Sequence, residues 1–382
     1  MIVALLMAIE ILSADLFAQN INPITKSGSE VAPRRRSHAR SAPPPARAPF
    51  DAQQAKAYQM AWARHLGTTV EATNSLGMKM VLIPPGKFMM GSSDQQVETA
   101  IRMSVKLKID QRTQKRIRDA ERPQHQMTLS RPFLLATTEV TIGQFRKFVE
   151  ATKYVTQAEE FGTGNSSVPR KAAPPDKNEF TWRAPGCAQQ EDSAVSQVTW
   201  NDAVVFCNWL SKREKLSPSY RRDAEIGWVL IAEAKSYQLP NEAQWEYACR
   251  AGTTDQYYFG DDYQALPKYA WFNFKSGSNP VRSVGSKLPN AFGLRDMHGN
   301  IGEWCQDYYD PKFYQNPQRN DPTGPASRLS SKSRRVIRGG DWWTNAIRCR
   351  SAFRGYGDQV TRSDDLGFRV LRLPPVNNRH PE

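Results

Sequence analysis

The chain has 382 residues, 39% of them hydrophobic, with a formal net charge of +14 and an isoelectric point near 9.6. That excess suits an acidic partner, but its placement argues against nucleic acid: Arg34, Arg35, Arg36, Arg40 and Arg47 sit in a Pro/Ala-rich stretch, and Lys106–Arg118 is basic and polar without an aromatic for a base to stack on. Ten Trp, sixteen Phe and thirteen Tyr supply the bulk of a sizeable core.

Residues 1–18, MIVALLMAIEILSADLFA, read as an export signal cleaved after Ala18, although a basic leader is missing and Glu10 interrupts the apolar run. Two acids within it argue against a membrane span, and no later apolar run is long enough for one. Residues 19–50 are too poor in large apolar side chains to fold and are expected to be a disordered, basic, Pro-rich linker. Residues 51–70 form a lead-in, with a helix over Asp51–Leu66 that puts Ala55, Met60, Trp62 and Ala63 near one side. Residues 71–374 make the main domain and 375–382 a tail. The protein is therefore expected to be exported, to the periplasm, the cell surface or the medium.

Within the domain, Met80–Ile83 and Lys87–Met90 flank Pro84-Pro85-Gly86 and predict a β-hairpin, and strands follow at Gln126–Leu129 and Phe133–Ala136. Thr141 with Gln144 resembles a capping box opening a helix whose Ile142, Phe145, Phe148 and Val149 repeat at helical spacing. A second helix is expected from an Asn201 cap with Ala203, Phe206, Cys207 and Leu210 buried. A third opens at Asn241, stops at Gly252 and buries Trp245, Ala248 and Cys249. Late strands are expected at Arg335–Gly339, Arg348–Arg354 and Gly367–Leu373.

The most chemically suggestive stretch is Asn290–Asp307, NAFGLRDMHGNIGEWCQD. Asp296 and Glu303 can offer carboxylate oxygens, and Gly299 and Ile301 can turn carbonyls inward across a tight bend, an oxygen-only set that suits Ca²⁺ and not Zn²⁺. The same spacing also describes a plain Asn/Gly/Asp turn, and the residues alone leave both readings open. Conventional catalytic motifs (HExxH, a P-loop, CxxC, G-x-S-x-G) are missing, and His125 and His298 read as structural.

This loop resembles the N-x-x-G-N-x-x-E-W signature of the formylglycine-generating-enzyme, or sulfatase-modifying-factor, family. Gly77–Ser92, Phe133–Phe145, Tyr237–Gly252 and Arg338–Arg372 agree with that family in its order. The resemblance implies an α+β fold of C-type-lectin-like architecture, low in regular structure, with calcium in the loop held by Asp296, Gly299, Ile301 and Glu303. Asp296 stands where the family usually has Asn. One ion is expected, not two, because the insertion that carries the family's second site is missing around Tyr269–Val284.

Family enzymes bind Cu(I) through two cysteines in the loop before an R-C-A-A-R-like strand, and soft thiolates are what Cu(I) requires. Here the loop, Asp341 to Arg348, is short and has no Cys, Asp341 replaces a Ser, Gly302 replaces a Trp, and Cys349 is the sole neighbouring thiol. Copper is therefore not expected. The resemblance also implies that Cys207 and Cys249 face Val370 and Ser351, where the family's disulfide partners would stand; Cys249–Cys349 and Cys187–Cys305 are open alternatives.

In place of the copper loop, Trp342 and Trp343 stand beside Arg348, with Tyr356 and Asp358 after the next bend. Trp342 reads as core, and Trp343, Arg348, Tyr356 and Asp358 as a recognition surface, a pattern that also resembles the binding region of lectin-fold variable proteins. Two functions stay open: an enzyme that modifies or oxidises an exported protein, and a non-catalytic lectin-like module for peptide, protein or glycan.

Overall fold

The computed structural model describes residues 41–161, 180–186, 188–273, 281–315, 318–325 and 334–374. The expected export signal, the first part of the linker, the tail and Cys187 lie outside these residues. In chain order the elements are β1 (Ala46–Arg47), α1 (Ala52–Leu66), β2 (Glu71–Thr73), β3 (Lys79–Ile83), β4 (Gly86–Met90), α2 (Asp94–Lys106), α3 (Gln111–Ala120), β5 (His125–Leu129), β6 (Phe133–Ala136), α4 (Ile142–Thr152), α5 (Gln157–Phe161), α6 (Trp200–Arg213), β7 (Tyr220–Asp223), β8 (Gly227–Leu230), β9 (Tyr237–Gln238), α7 (Glu242–Arg250), β10 (Gly302–Tyr308), β11 (Arg334–Arg338), β12 (Gly355–Asp358), β13 (Leu366–Gly367) and β14 (Leu371–Arg372). This is an α+β fold with long irregular connections, as expected.

The helices begin where short polar side chains close capping boxes. Asp51 with Gln54, Ser93 with Gln96, Thr141 with Gln144, Thr199 with Asp202 and Asn241 with Gln244 each satisfy two orphan amides, worth about 1 kcal/mol apiece. The cap of α6 is Thr199, two residues before the expected Asn201: Asp202 reaches back to the Thr199 amide at 2.8 Å, which leaves Asn201 inside the first turn. In α1, Met60 is 48% exposed, and Gln59 takes the inward place by donating to the Leu82 carbonyl at 3.0 Å.

The five-stranded sheet runs β2-β3-β6-β14-β9, a three-stranded sheet β1-β4-β5, and a four-stranded sheet β12-β11-β10-β13; β7 and β8 pair separately. The expected hairpin is not formed. The β3 strand pairs with β6, from Met80 opposite Ala136 to Ile83 opposite Phe133, while β4 turns away to pair with β5 and β1. Pro84-Pro85 is thus a corner between sheets. Gly86 is needed there because a Cβ would lie 2.1 Å from the Tyr247 hydroxyl on α7.

Three further expectations change. The linker ends early, since Ala46–Arg47 joins a sheet and Phe50 is buried against Tyr58 and Phe292. The basic stretch Lys106–Arg118, which composition alone would leave as a solvated loop, holds the end of α2 and most of α3, and Val97, Ala100 and Ile117 of these helices pack on Ile347 and Phe353. Arg348–Arg354 is not a strand either. It makes a 3-10 turn (Ala346–Cys349) and an irregular run that aims Arg350 and Arg354 inward onto the buried carboxylates of Glu121 and Glu242.

The two main apolar clusters lie on either side of the five-stranded sheet's strands. One gathers Phe145, Phe148, Trp182, Trp200, Phe206, Trp304 and Phe368; the other gathers Phe88, Phe133, Trp245, Tyr247, Cys249 and Phe292. His298 is wholly buried, stacks on Tyr258 at 4.5 Å and accepts from its amide at 3.2 Å. Burial holds this imidazole down at about 3, which makes it a neutral structural residue.

Asp307 on β10 accepts from the Glu242 amide at 2.7 Å, and burial followed by the charge of Glu242 pushes its carboxyl up to about 7. Between the ordinary Asp value of about 4 and that raised value, the folded chain binds more protons than the unfolded one, so this group's contribution to stability falls as pH rises through the window. Urea denaturation of Asp307→Asn is expected to show a flatter pH dependence across that window than the parent; an unchanged slope would remove Asp307 as the cause.

Candidate functional site

The loop 296–303 leads into β10 through three left-handed residues, Asp296 (φ 57°), Gly299 (φ 76°) and Asn300 (φ 60°). Only glycine fits at 299, because a Cβ would stand 2.2 Å from the Trp271 carbonyl. The turn buries Asp296 and Glu303 and seats the Ile301 side chain against Ala194, Val281 and Trp342.

Glu303 accepts a bidentate ion pair from Arg369, 2.6 Å at each oxygen, and the Trp245 indole N–H at 2.8 Å. Its charge is committed to Arg369. Asp296 differs: one oxygen accepts from the Gly285 amide at 2.5 Å, and Oδ1 is buried without a hydrogen-bond partner. Sequence reasoning missed a third acid, Glu139, between β6 and α4. Its Oε1 accepts from Asn300 at 3.0 Å and its Oε2 is also buried and unpartnered. Burial raises Glu139 well above the carboxylate range, followed by the charges of Asp296 and Glu303 against the opposing pull of Arg369. Burial raises Asp296 as well. Glu139 is the single acid within the apolar run Phe133–Phe145, with no second acid at a spacing that would mark it as a ligand. Two orphaned carboxylate oxygens near one bend are a donor set that fits a hard cation.

The late loop supplies no second soft ligand. Cys349 is completely buried, its thiol pushed up by burial and by the neighbouring Asp341. Cys249 is buried too, its thiol raised to about 12 by burial, with Sγ 3.7 Å from the Ser351 hydroxyl and 3.9 Å from the Met297 carbonyl. The two thiols belong to different apolar clusters, and Cys207, Cys249, Cys305 and Cys349 are all free. The Cys249–Cys349 alternative is therefore not realised. A thiol–hydroxyl contact stands where the resemblance implies a disulfide, and Cys207 and Val370 share one cluster. Two buried thiols in separate apolar clusters do not make the paired soft-ligand set that a Cu(I) bis-thiolate needs.

Trp342 is buried and Trp343 is 40% exposed. Trp343 borders a cavity of about 450 Å³ with Leu107, Ile109, Phe272, Asn273 and Asn345, a lining without a charged side chain. Arg348 and Tyr356 line a different cavity, about 270 Å³, floored by Gly302, Ile337 and Gly340. Asp358 borders neither and pairs with Arg334 at 3.7 Å. The expected single recognition surface is thus divided, because Arg348 turns toward α3 and donates to Thr113 at 2.8 Å and Asp110 at 3.4 Å. Residues of α3 were missed as site residues: Arg112 donates to the Tyr356 hydroxyl at 3.0 Å, and Arg116 lies 4.6 Å over that ring. The cap Asp110 with Thr113, and Ile117 at the next turn but one, were the legible signals.

In the smaller cavity Asp341 Oδ1 accepts from the amides of Trp343 (2.9 Å) and Thr344 (2.8 Å). Burial and the nearby Asp365, which shares the lining, push the Asp341 carboxyl well above its ordinary range.

Residues 67–374 match the sulfatase-modifying factor enzyme 1-like domain. The formylglycine-generating enzyme of Streptomyces coelicolor is 30% identical over 286 residues, covering 66% of this chain and 81% of that protein. The inactive C-alpha-formylglycine-generating enzyme 2 of Bos taurus is 26% identical over 338 residues, 79% of this chain and 91% of that protein. Among solved structures, Treponema denticola variable protein 1 superposes with a TM-score of 0.58 at 26% identity, covering 80% of this chain and all of that one. A family match that spans residues 67–374, most of the chain, places this protein in the sulfatase-modifying-factor (formylglycine-generating-enzyme-like) family.

Proposed function

We propose that this protein is an exported, non-catalytic recognition domain of the family, which binds a protein or peptide at the Trp343 cavity without the copper oxidase chemistry. The observation that carries the reading is the burial of Cys349, the one thiol beside the late loop, next to an exposed Trp343 that offers an aromatic face to solvent. A neutral lining of Trp, Phe, Leu and Ile with the amides of Asn273 and Asn345 takes an apolar or aromatic side chain, or the apolar face of a sugar. Relatives with and without the enzyme activity in their names make either state compatible with the fold. Incubation with Cu(I), O₂, reductant and a C-x-P-x-R peptide is expected to give no aldehyde by mass spectrometry, and binding of the isolated partner is expected to be lost in Trp343→Ala. Turnover abolished by Cys349→Ser would restore the oxidase reading.

The same proposal includes one calcium ion, held by Asp296 and the carbonyls of Gly299 and Ile301, with Glu303 shared between Arg369 and the ion and Glu139 as an added ligand. The free lone pairs of a carboxylate allow that sharing, and the orphaned oxygens of Asp296 and Glu139 support it. Such an ion would neutralise buried carboxylates and tie α4's entry to the loop before β10. Two substitutions separate its roles. Asp296→Ala is expected to abolish the rise in Tm that Ca²⁺ produces over EDTA. Glu303→Ala strands the buried Arg369 guanidinium and is expected to cost about 3–5 kcal/mol in both conditions. Equal Tm for the parent in Ca²⁺ and EDTA would overturn the ion.

A further inference from the structure

The α3 helix, QRTQKRIRDA, carries Arg112, Lys115, Arg116 and Arg118 against the single acid Asp119. Its apolar side is spent on the core through Thr113, Ile117 and Ala120, so the cations are turned outward along both flanks. On one flank Arg116 lies 4.6 Å over the Tyr356 ring and 5.8 Å over Phe353, Arg334 lies 4.8 Å over Tyr356, and Arg112 holds its hydroxyl. On the other flank Lys115, Arg118, Arg122 and Lys312 border an open depression of about 610 Å³ with Asp94 and Asp119. Asp119 is taken by Lys115 (2.6 Å) and Asp94 by Arg122 (3.2 Å). Among the described residues Arg112, Arg116, Arg118 and Lys312 form no ion pair with a carboxylate.

The neutral cavity adjoins this ridge. Leu107 and Ile109, which line it with Trp343, belong to the connection between α2 and α3, and the next residue, Asp110, caps α3. We propose that the partner segment is an acidic peptide stretch, which seats one apolar or aromatic side chain against Trp343 and lays its carboxylates along α3. This rests on the recognition reading above and adds its chemistry. Guanidiniums held against aromatic rings are pre-ordered, so less entropy is lost when a carboxylate binds their free edges. No exposed aromatic stands on α3 itself for bases to stack on.

The probe is a fluorescein-labelled peptide of alternating glutamate and alanine following one phenylalanine, with its glutamine counterpart as the neutral control. Fluorescence polarisation on the full chain is expected to give binding that weakens about tenfold when salt rises from about 0.05 to 0.5 M, and at least as great a preference for the glutamate peptide. The exposed double variant Arg112→Ala/Arg118→Ala is expected to lose that preference while Trp343→Ala weakens both peptides alike. Equal binding of the two peptides, or a salt-insensitive Kd of the unmodified protein, overturns the acidic-segment inference; if Trp343→Ala still weakens binding, the cavity reading survives. Duplex DNA or anionic phospholipid vesicles competing more strongly than the glutamate peptide would also overturn it in favour of those partners.

Discussion

Much of this fold hangs on arginine–carboxylate pairs buried in its interior. Glu121 takes Arg350 through both oxygens (2.6 and 2.8 Å), Glu242 takes Arg354 (2.7 and 2.8 Å), Glu303 takes Arg369, and Glu246 lies between Arg250 at 2.9 Å and Arg338. These pairs tie the end of α3, α7, β10 and β11 to the irregular run after Cys349 and to Arg369, which lies between β13 and β14. Burying a guanidinium is expensive, and the cost is offset only where bidentate geometry and added carbonyl acceptors complete its hydrogen bonds. That condition is met here: Arg354 also donates to the carbonyls of Ala120 and Asp310, and Arg369 to those of Ala136 and Arg295. Each guanidinium therefore acts as a joint between chain segments, and its demands set the path of loops that no sheet organises.

This explains which parts were legible in the sequence. Elements governed by local rules could be read: the Thr141 and Asn241 caps, the Phe145/Phe148 stripe and the strand at Phe133 stand where spacing put them. Elements governed by distant partners could not. Arg348–Arg354 alternates like a strand, yet its arginines answer to Glu121 and Glu242, which are more than a hundred residues away in sequence. Pro84-Pro85-Gly86 has the composition of a hairpin turn, but the choice between hairpin and corner lies with Tyr247 and β6.

The site divides along the same line. The absence of cysteine from the short loop is plain in the sequence, and the exposure of Trp343 against the burial of Trp342 follows from alternation around the bend. What the sequence could not carry was the intrusion of α2 and α3. Their charged composition hides a narrow inward stripe of Val97, Ala100 and Ile117, and only the packed structure shows that this stripe parts Trp343 from Arg348 and Tyr356. Glu139 was hidden for another reason: a single acid in an apolar run carries no spacing signal, and its importance comes from facing Asp296 and Glu303 across the fold.

The β14 strand, Leu371–Arg372, lies between β6 and β9 rather than at an edge, with Leu371 opposite both Leu135 and Gln238. During synthesis the ribosome must therefore deliver residue 372 before the two halves of that sheet can be bridged. Until then β6 and β9 each present an unpaired strand edge, and the apolar clusters beneath them lack Phe368, Val370 and Leu371. The topology thus couples closure of this sheet to the arrival of its last strand, long after β6 and β9 have been made.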